Sequence, residues 1–188
     1  MQLQSKDPNI QTFWHVCGLD KDDESILWAV RGAILPLIPA LTDAFYATLG
    51  ADAQTAPLIE GRVEQLKRTH AVWLESLFSG EYGADFIRRQ QQIGEVHVRA
   101  KIPPTFVAAS MSFLRGALPD VLAANIADKE DARAAMGTLL RLFDLCQFLI
   151  DRSYDGTLSD GLMNNLGISP ALLARLQTVG KKPQPGQD

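Results

Sequence analysis

Apolar residues return every third or fourth position through most of this 188-residue chain, and strand-like alternation is nearly absent. That period is the α-helix's own, so the core has to form by helices burying one face against other helices. The clearest run is Val63, Leu66, His70, Trp73 and Leu77, all on one helical face. A second run, Phe86, Gln90, Ile93, His97 and Ala100, predicts the inner stripe of a helix from Ala84 to about Ala100. Its outer face carries Arg88, Arg89, Gln92, Glu95 and Arg99. The turn Ser79–Gly83 joins the two helices and lets them pack face to face.

The rest of the chain reads the same way. Asn9 to Gly18 predicts a short leading helix, followed by one through Ile26, Leu27 and Val30 with Asp22 or Asp23 as N-cap. Ile34, Leu37, Ile38, Leu41, Phe45 and Leu49 form the next stripe, with Pro36 and Pro39 starting or kinking that helix. Gly50 to Pro57 reads as a loop. Pro103-Pro104 stops the His97 helix, because a residue before proline disfavours the helical region.

Two long helices follow. Thr105 to about Ile126 contains Phe106, Val107, Ser110, Leu114, Ala117, Leu118 and Val121, with Pro119 expected to bend it or to lie near an irregular turn. Asp128 caps the last one, whose stripe is Met136, Leu139, Leu140, Phe143, Cys146 and Ile150. Ser169-Pro170 predicts a short helix to Gln177, and residues 181–188 read as a flexible tail or linker. The expectation is all-α, with about six to eight helices in a globin-like or bundle arrangement.

Composition narrows the function. A net charge of −4 argues against a broad partnership with nucleic acid or anionic membrane. No uninterrupted apolar run reaches the ~18 residues of a membrane span, and the N-terminus lacks a signal-peptide pattern. A cytoplasmic protein is therefore expected. Cys17 and Cys146 form neither a disulfide framework nor a metal-spaced cluster. Nucleotide loops, hydrolase elbows, His-Glu-x-x-His and Cys-x-x-Cys-His are all absent from the sequence.

The three histidines are His15, His70 and His97. His70 and His97 lie on the inner stripes of successive helices. Two such histidines can bracket a planar cofactor such as haem, or belong to a divalent metal site. Glu64, Glu75 and Glu95 fall off the stripes, which leaves a metal site short of ligands.

Ile93-Gly94-Glu95-Val96-His97 followed by Ile102-Pro103 resembles the proximal segment of the sensor-globin, or globin-coupled sensor, family, a lineage related to protoglobins. Phe45-Tyr46 is similar to its distal tyrosine pair. Leu66, Trp73-Leu74 and Leu77-Phe78-Ser79-Gly80 resemble its distal helix and the turn after it. The resemblance spans about Trp28 to Tyr154.

It implies a globin fold with an extra N-terminal helix, and long C-terminal helices forming a four-helix bundle in a dimer. It implies a haem b cofactor with His97 as proximal ligand, Tyr46 as distal hydrogen-bond donor and Leu66 as an apolar gate. Phe45, Val63, Ile93, Val96, Ile102 and Phe106 would line the pocket. His70 departs from the family pattern, which has an apolar residue one turn after Leu66. It could donate a second distal hydrogen bond, bind the iron, or point away.

The implied function is reversible binding of O2, and of CO and NO, at a five-coordinate iron, read out through dimer packing by a downstream transmitter and without enzymatic turnover. The alternatives are nitric oxide dioxygenase or peroxidase-like activity, or a globin-like interaction module without haem. Residues 1–155 would form the sensor domain and 156–188 an extension too short for an output domain, so the chain reads as a stand-alone sensor or one cut at its linker.

Overall fold

A computed structural model describes residues 5–172 and Arg175, and every regular element among them is helical. α1 (Pro8–Cys17) starts at Asp7, whose carboxylate accepts from the amides of Asn9 and Ile10, and stops at Gly18 in the left-handed region, with φ 71°. α2 (Lys21–Ile34) is capped by Asp20 rather than by Asp22 or Asp23. Asp20 is extended and takes the amides of Asp22 and Asp23, while the Asp23 carboxylate returns to the Asp20 amide. This reciprocal capping needs Asp23 inside the helix, which the spacing of acids alone left ambiguous.

Pro36 sits in a single 3-10 turn, Leu35–Leu37, between α2 and α3 (Ile38–Ala51). The expected loop at Gly50–Pro57 is shorter, because α3 runs to Ala51 and a one-turn helix, α4 (Ala56–Ile59), follows. α5 (Val63–Ser76) and α6 (Ala84–Arg99) lie where the periodicity predicts. α7 (Pro104–Asn125) passes through Pro119 without a break. α8 (Lys129–Leu166) is capped by Asp128 and spans the expected domain limit at residues 155 and 156 without interruption. Ser169 Oγ accepts from the Leu172 amide, as a helix cap would, whereas most of the remaining predicted C-terminal helix and the tail lie outside the described residues.

The core is organised around α8. α6, α7 and α2 all pack on it, so its buried surface is wider than one stripe. Leu142 and Phe143, Leu145 and Cys146, and Leu149 and Ile150 are buried as adjacent pairs. Leu140, placed on the inner stripe by spacing, is on the outer side and 36% exposed. The one buried carboxylate of this core among the described residues, Asp23, accepts from Thr138 Oγ1 and from the Arg141 guanidinium, tying the start of α2 to α8.

Residues 22–51 and 104–125 form helical stretches long and apolar enough on average to cross a bilayer, although polar residues interrupt both. In this fold their apolar residues are used internally. Leu27, Ile34, Ile38 and Leu41 from the first, and Met111, Leu114, Leu118 and Leu122 from the second, are buried in the main core.

Candidate functional site

The candidate residues lie on two helix pairs. α5 rests on α3, and α6 rests on α8. The close face-to-face packing of α5 on α6 expected from their short connection is therefore not found. Each helix buries its apolar face on a different partner, and α5 and α6 are joined instead by a hydrogen bond. Trp73 Nε1 donates to Gln90 Oε1 at 2.9 Å, and Gln90 is 1% exposed.

On the first side, α3 presents Thr42, Phe45 and Tyr46, all buried, at the spacing of one helix face. Phe45, Tyr46 and Ile59 form an apolar cluster separate from the main core, with Leu49, Val63, Leu66 and Phe113 against it. The Phe45 and Tyr46 rings meet edge to face at 5.2 Å. The Tyr46 hydroxyl has no hydrogen-bond partner among the described residues, and burial pushes its pKa up to about 12. It is therefore a protonated donor at neutral pH, available to a ligand.

His70 projects from α5 into the same cluster. Its ring stacks on Phe45 at 4.7 Å with 16° between planes, meets Tyr46 edge-on at 5.7 Å, and lies 5.6 Å from Trp73. Nδ1 is 3.2 Å from Thr42 Oγ1. Burial lowers the His70 pKa from 6.5 to about 4, so the ring is neutral at pH 7.

On the other side, His97 Nδ1 is 2.8 Å from the Ile93 carbonyl oxygen, one turn earlier on α6. A carbonyl only accepts, so Nδ1 carries the proton and the Nε2 lone pair is left free. Metal-ligating histidines are commonly oriented by this kind of bond. Ile93 and His97 are half-buried at the margin of α6, because the fully buried line is Phe86, Ile87, Gln90 and Gly94.

Gly94 sets that rotation. A Cβ there would stand 2.5 Å from Ser153 Oγ and 2.7 Å from the Ile150 carbonyl oxygen, so only glycine lets α6 approach α8 this closely. Ser153 Oγ donates to the Gln91 carbonyl at 3.2 Å. Tyr154 Oη donates at 2.8 Å to the carbonyl of Ile102, in the turn after His97. Lys101, in the same turn, takes φ 55°, an uncommon conformation outside glycine. α8 thus holds the His97 segment both before and after the histidine.

The structure brings Phe45, Tyr46, Val63, Leu66 and His70 into one cluster. Ile102 and Phe106 are half-buried beyond the end of α6, and Val96 is 50% exposed. No three His, Cys, Asp or Glu side chains gather as a metal cluster among the described residues. The sequence reading passed over Thr42, although a threonine four residues before Tyr46 on an apolar face is a recognisable signal. It also passed over the Trp73–Gln90 pairing and the closeness that Gly94 permits.

The residues fit a haem in donor chemistry. They offer an imidazole nitrogen with a free lone pair, a neutral tyrosine hydroxyl with no partner among the described residues, and buried and half-buried apolar side chains.

Residues 7–158 match the Protoglobin family. The chain is 31% identical over 139 residues to the heme-based aerotactic transducer HemAT of Halobacterium salinarum, an alignment covering 69% of this chain and 28% of the transducer. It superposes on the globin domain of a Geobacter sulfurreducens globin-coupled sensor with TM-score 0.72 and 25% identity, covering 77% of this chain and 96% of that domain. The globin domain of E. coli DosC shares the fold, with TM-score 0.59 and 18% identity over 80% of this chain and 93% of that one.

Proposed function

This chain belongs to the Protoglobin family, and from that premise we propose that it is a haem-based gas-sensor globin domain with His97 as proximal ligand. When bound, haem b supplies an iron centre with one open coordination position for O2, CO or NO. The observation that carries the reading is the Nδ1–Ile93 bond, which holds the His97 ring in the one tautomer that can ligate through Nε2.

On the α3–α5 side Tyr46 would act as a neutral hydrogen-bond donor to a bound ligand. Its hydroxyl has no competing partner among the described residues. Leu66, Val63 and Phe45 give that side an apolar wall that keeps water out. Ile93 and Phe106, with Ile102 at the turn, supply apolar contact near His97, and Val96 stands at the exposed edge.

The protein binds rather than transforms its ligand in this reading. The heme-based aerotactic transducer it resembles is a signalling protein, and the chain spans only 28% of that protein's length. The state of the site passes through α8, which contacts α6 on both sides of His97, to a second copy packed against α7 and α8 and to a transmitter in the cytoplasm. The apolar stripes of α7 and α8 are packed inside the monomer, so this dimer would use their outward faces, where Leu140 lies.

Ultraviolet–visible spectra of the ferric, ferrous, oxy and CO forms test the proposal. A Soret band, a five-coordinate ferrous spectrum and reversible O2 and CO shifts are expected. Haem-supplemented protein with no Soret band would overturn it. Sedimentation of the deoxy and oxy forms reads the dimer claim separately.

A further inference from the structure

Thr42 is 2% exposed, and its hydroxyl meets a single polar partner among the described residues, His70 Nδ1 at 3.2 Å. Helical threonines can turn their hydroxyl back to a carbonyl of the preceding turn. Thr48 does so to Ala44 at 3.0 Å, and Thr69 to Leu66 at 2.9 Å. Thr42 does not. If the imidazole donated to Thr42, the hydroxyl proton of this buried residue would have no acceptor, an arrangement that protein interiors rarely tolerate. The hydroxyl therefore donates, and Nδ1 accepts with its lone pair. A neutral imidazole has one N–H, which then sits on Nε2.

We propose that Thr42 fixes His70 in the Nε2–H tautomer, making His70 a second hydrogen-bond donor to the bound diatomic ligand and not a ligand of the iron. This rests on the haem-binding reading above. The two histidines are set in opposite tautomers by opposite partners. His97 donates its Nδ1–H to a carbonyl and keeps a lone pair on Nε2, whereas His70 accepts a hydrogen bond at Nδ1 and presents N–H at Nε2. The stack on Phe45 fixes the ring plane, and the edge contact keeps the ring beside that of Tyr46. Burial keeps the ring neutral at working pH, so one donor is presented and not two. Thr42 is a positioning residue, and His70 tunes which diatomic is held.

The test is a long-range proton–nitrogen NMR spectrum of the imidazole rings in the 15N-labelled, diamagnetic ferrous–CO protein, with His70→Gln assigning the His70 signals. A pyridine-like Nδ1 and a pyrrole-like Nε2 are expected for His70. Thr42→Val should shift the ring toward the other tautomer and raise the O2 dissociation rate severalfold, while Thr42→Ser should retain both wild-type properties. A protonated Nδ1 in the wild type, or an unchanged tautomer in Thr42→Val, overturns the proposal. So does a six-coordinate ferrous spectrum that His70→Gln converts to five-coordinate. Failure of the haem reading is distinguishable, because it removes the Soret band while the tautomer of His70 can still be read in the haem-free chain.

Discussion

His97 and Ile93 are joined by a 2.8 Å bond from the ring Nδ1 to the carbonyl oxygen one turn back on α6. The bond makes the orientation of the ring a property of the helix backbone and independent of any bound group. His97→Gly should therefore lose the five-coordinate ferrous spectrum, and added imidazole should restore it in part. Titration of ferrous absorbance with imidazole checks this. An unchanged spectrum in His97→Gly would remove His97 from the iron.

Tyr46→Phe deletes one neutral hydroxyl donor and leaves the ring packing against Phe45 intact. A net loss of about 0.5–1.5 kcal/mol corresponds to a roughly 2- to 12-fold faster O2 dissociation. CO, the weaker acceptor, should change much less. Flash photolysis and stopped-flow dissociation of both gases give the comparison, and equal effects would reject the donor role.

Gly94→Ala drives a methyl group into Ser153 Oγ and the Ile150 carbonyl. Overpacking of this kind costs about 1–3 kcal/mol. Adding Ser153→Gly should recover only part of the loss, because the Ile150 backbone stays in the way. Urea denaturation of the single and double variants measures both numbers.

His70 contributes a pH dependence whose sign follows from its lowered pKa. The unfolded ring takes up its proton near 6.5 and the folded ring near 4, so between these values the unfolded state binds more protons. Stability from this group is fully present above about pH 6.5 and is lost as the pH falls toward 4, by up to about 3 kcal/mol. His70→Gln should flatten that part of the stability profile, measured by chemical denaturation from pH 7.5 to 4.5 in parallel with wild type. A profile as steep as wild type's would assign the slope to other groups.

Asp23→Ala removes the return arm of the α2 capping box and the acceptor shared by Thr138 and Arg141. A loss of about 1–3 kcal/mol is expected, since Thr138 is left buried without that partner. The visible spectrum should not change, because Asp23 lies in the α2–α8 contact and outside the cluster around Tyr46. A spectral shift would show that this contact reaches the site.

Helical periodicity made α5 and α6 legible, and the segment from Ile93 to Pro103 made His97 the residue to watch. Those signals are local, each contained within a few turns of one helix. What escaped depends on neighbours far apart in the chain. Asp23 finds Thr138 and Arg141, and Tyr154 finds Ile102, only once the helices have docked. The width of α8's buried surface escaped for the same reason, since period alone cannot say how many partners a helix has. Thr42 was hidden differently, because a small polar residue on an apolar stripe is recognised as a partner only when the ring above it is in place.

α8 extends for 38 residues, about 57 Å at the rise of an α-helix. Its contacts with Gly94, Gln91 and Ile102 fall within Ile150–Tyr154, well along that length. The helix is packed against α2, α6 and α7 up to this point and continues to Leu166, so any shift of its packed part would be carried outward along the turns beyond the histidine's neighbours.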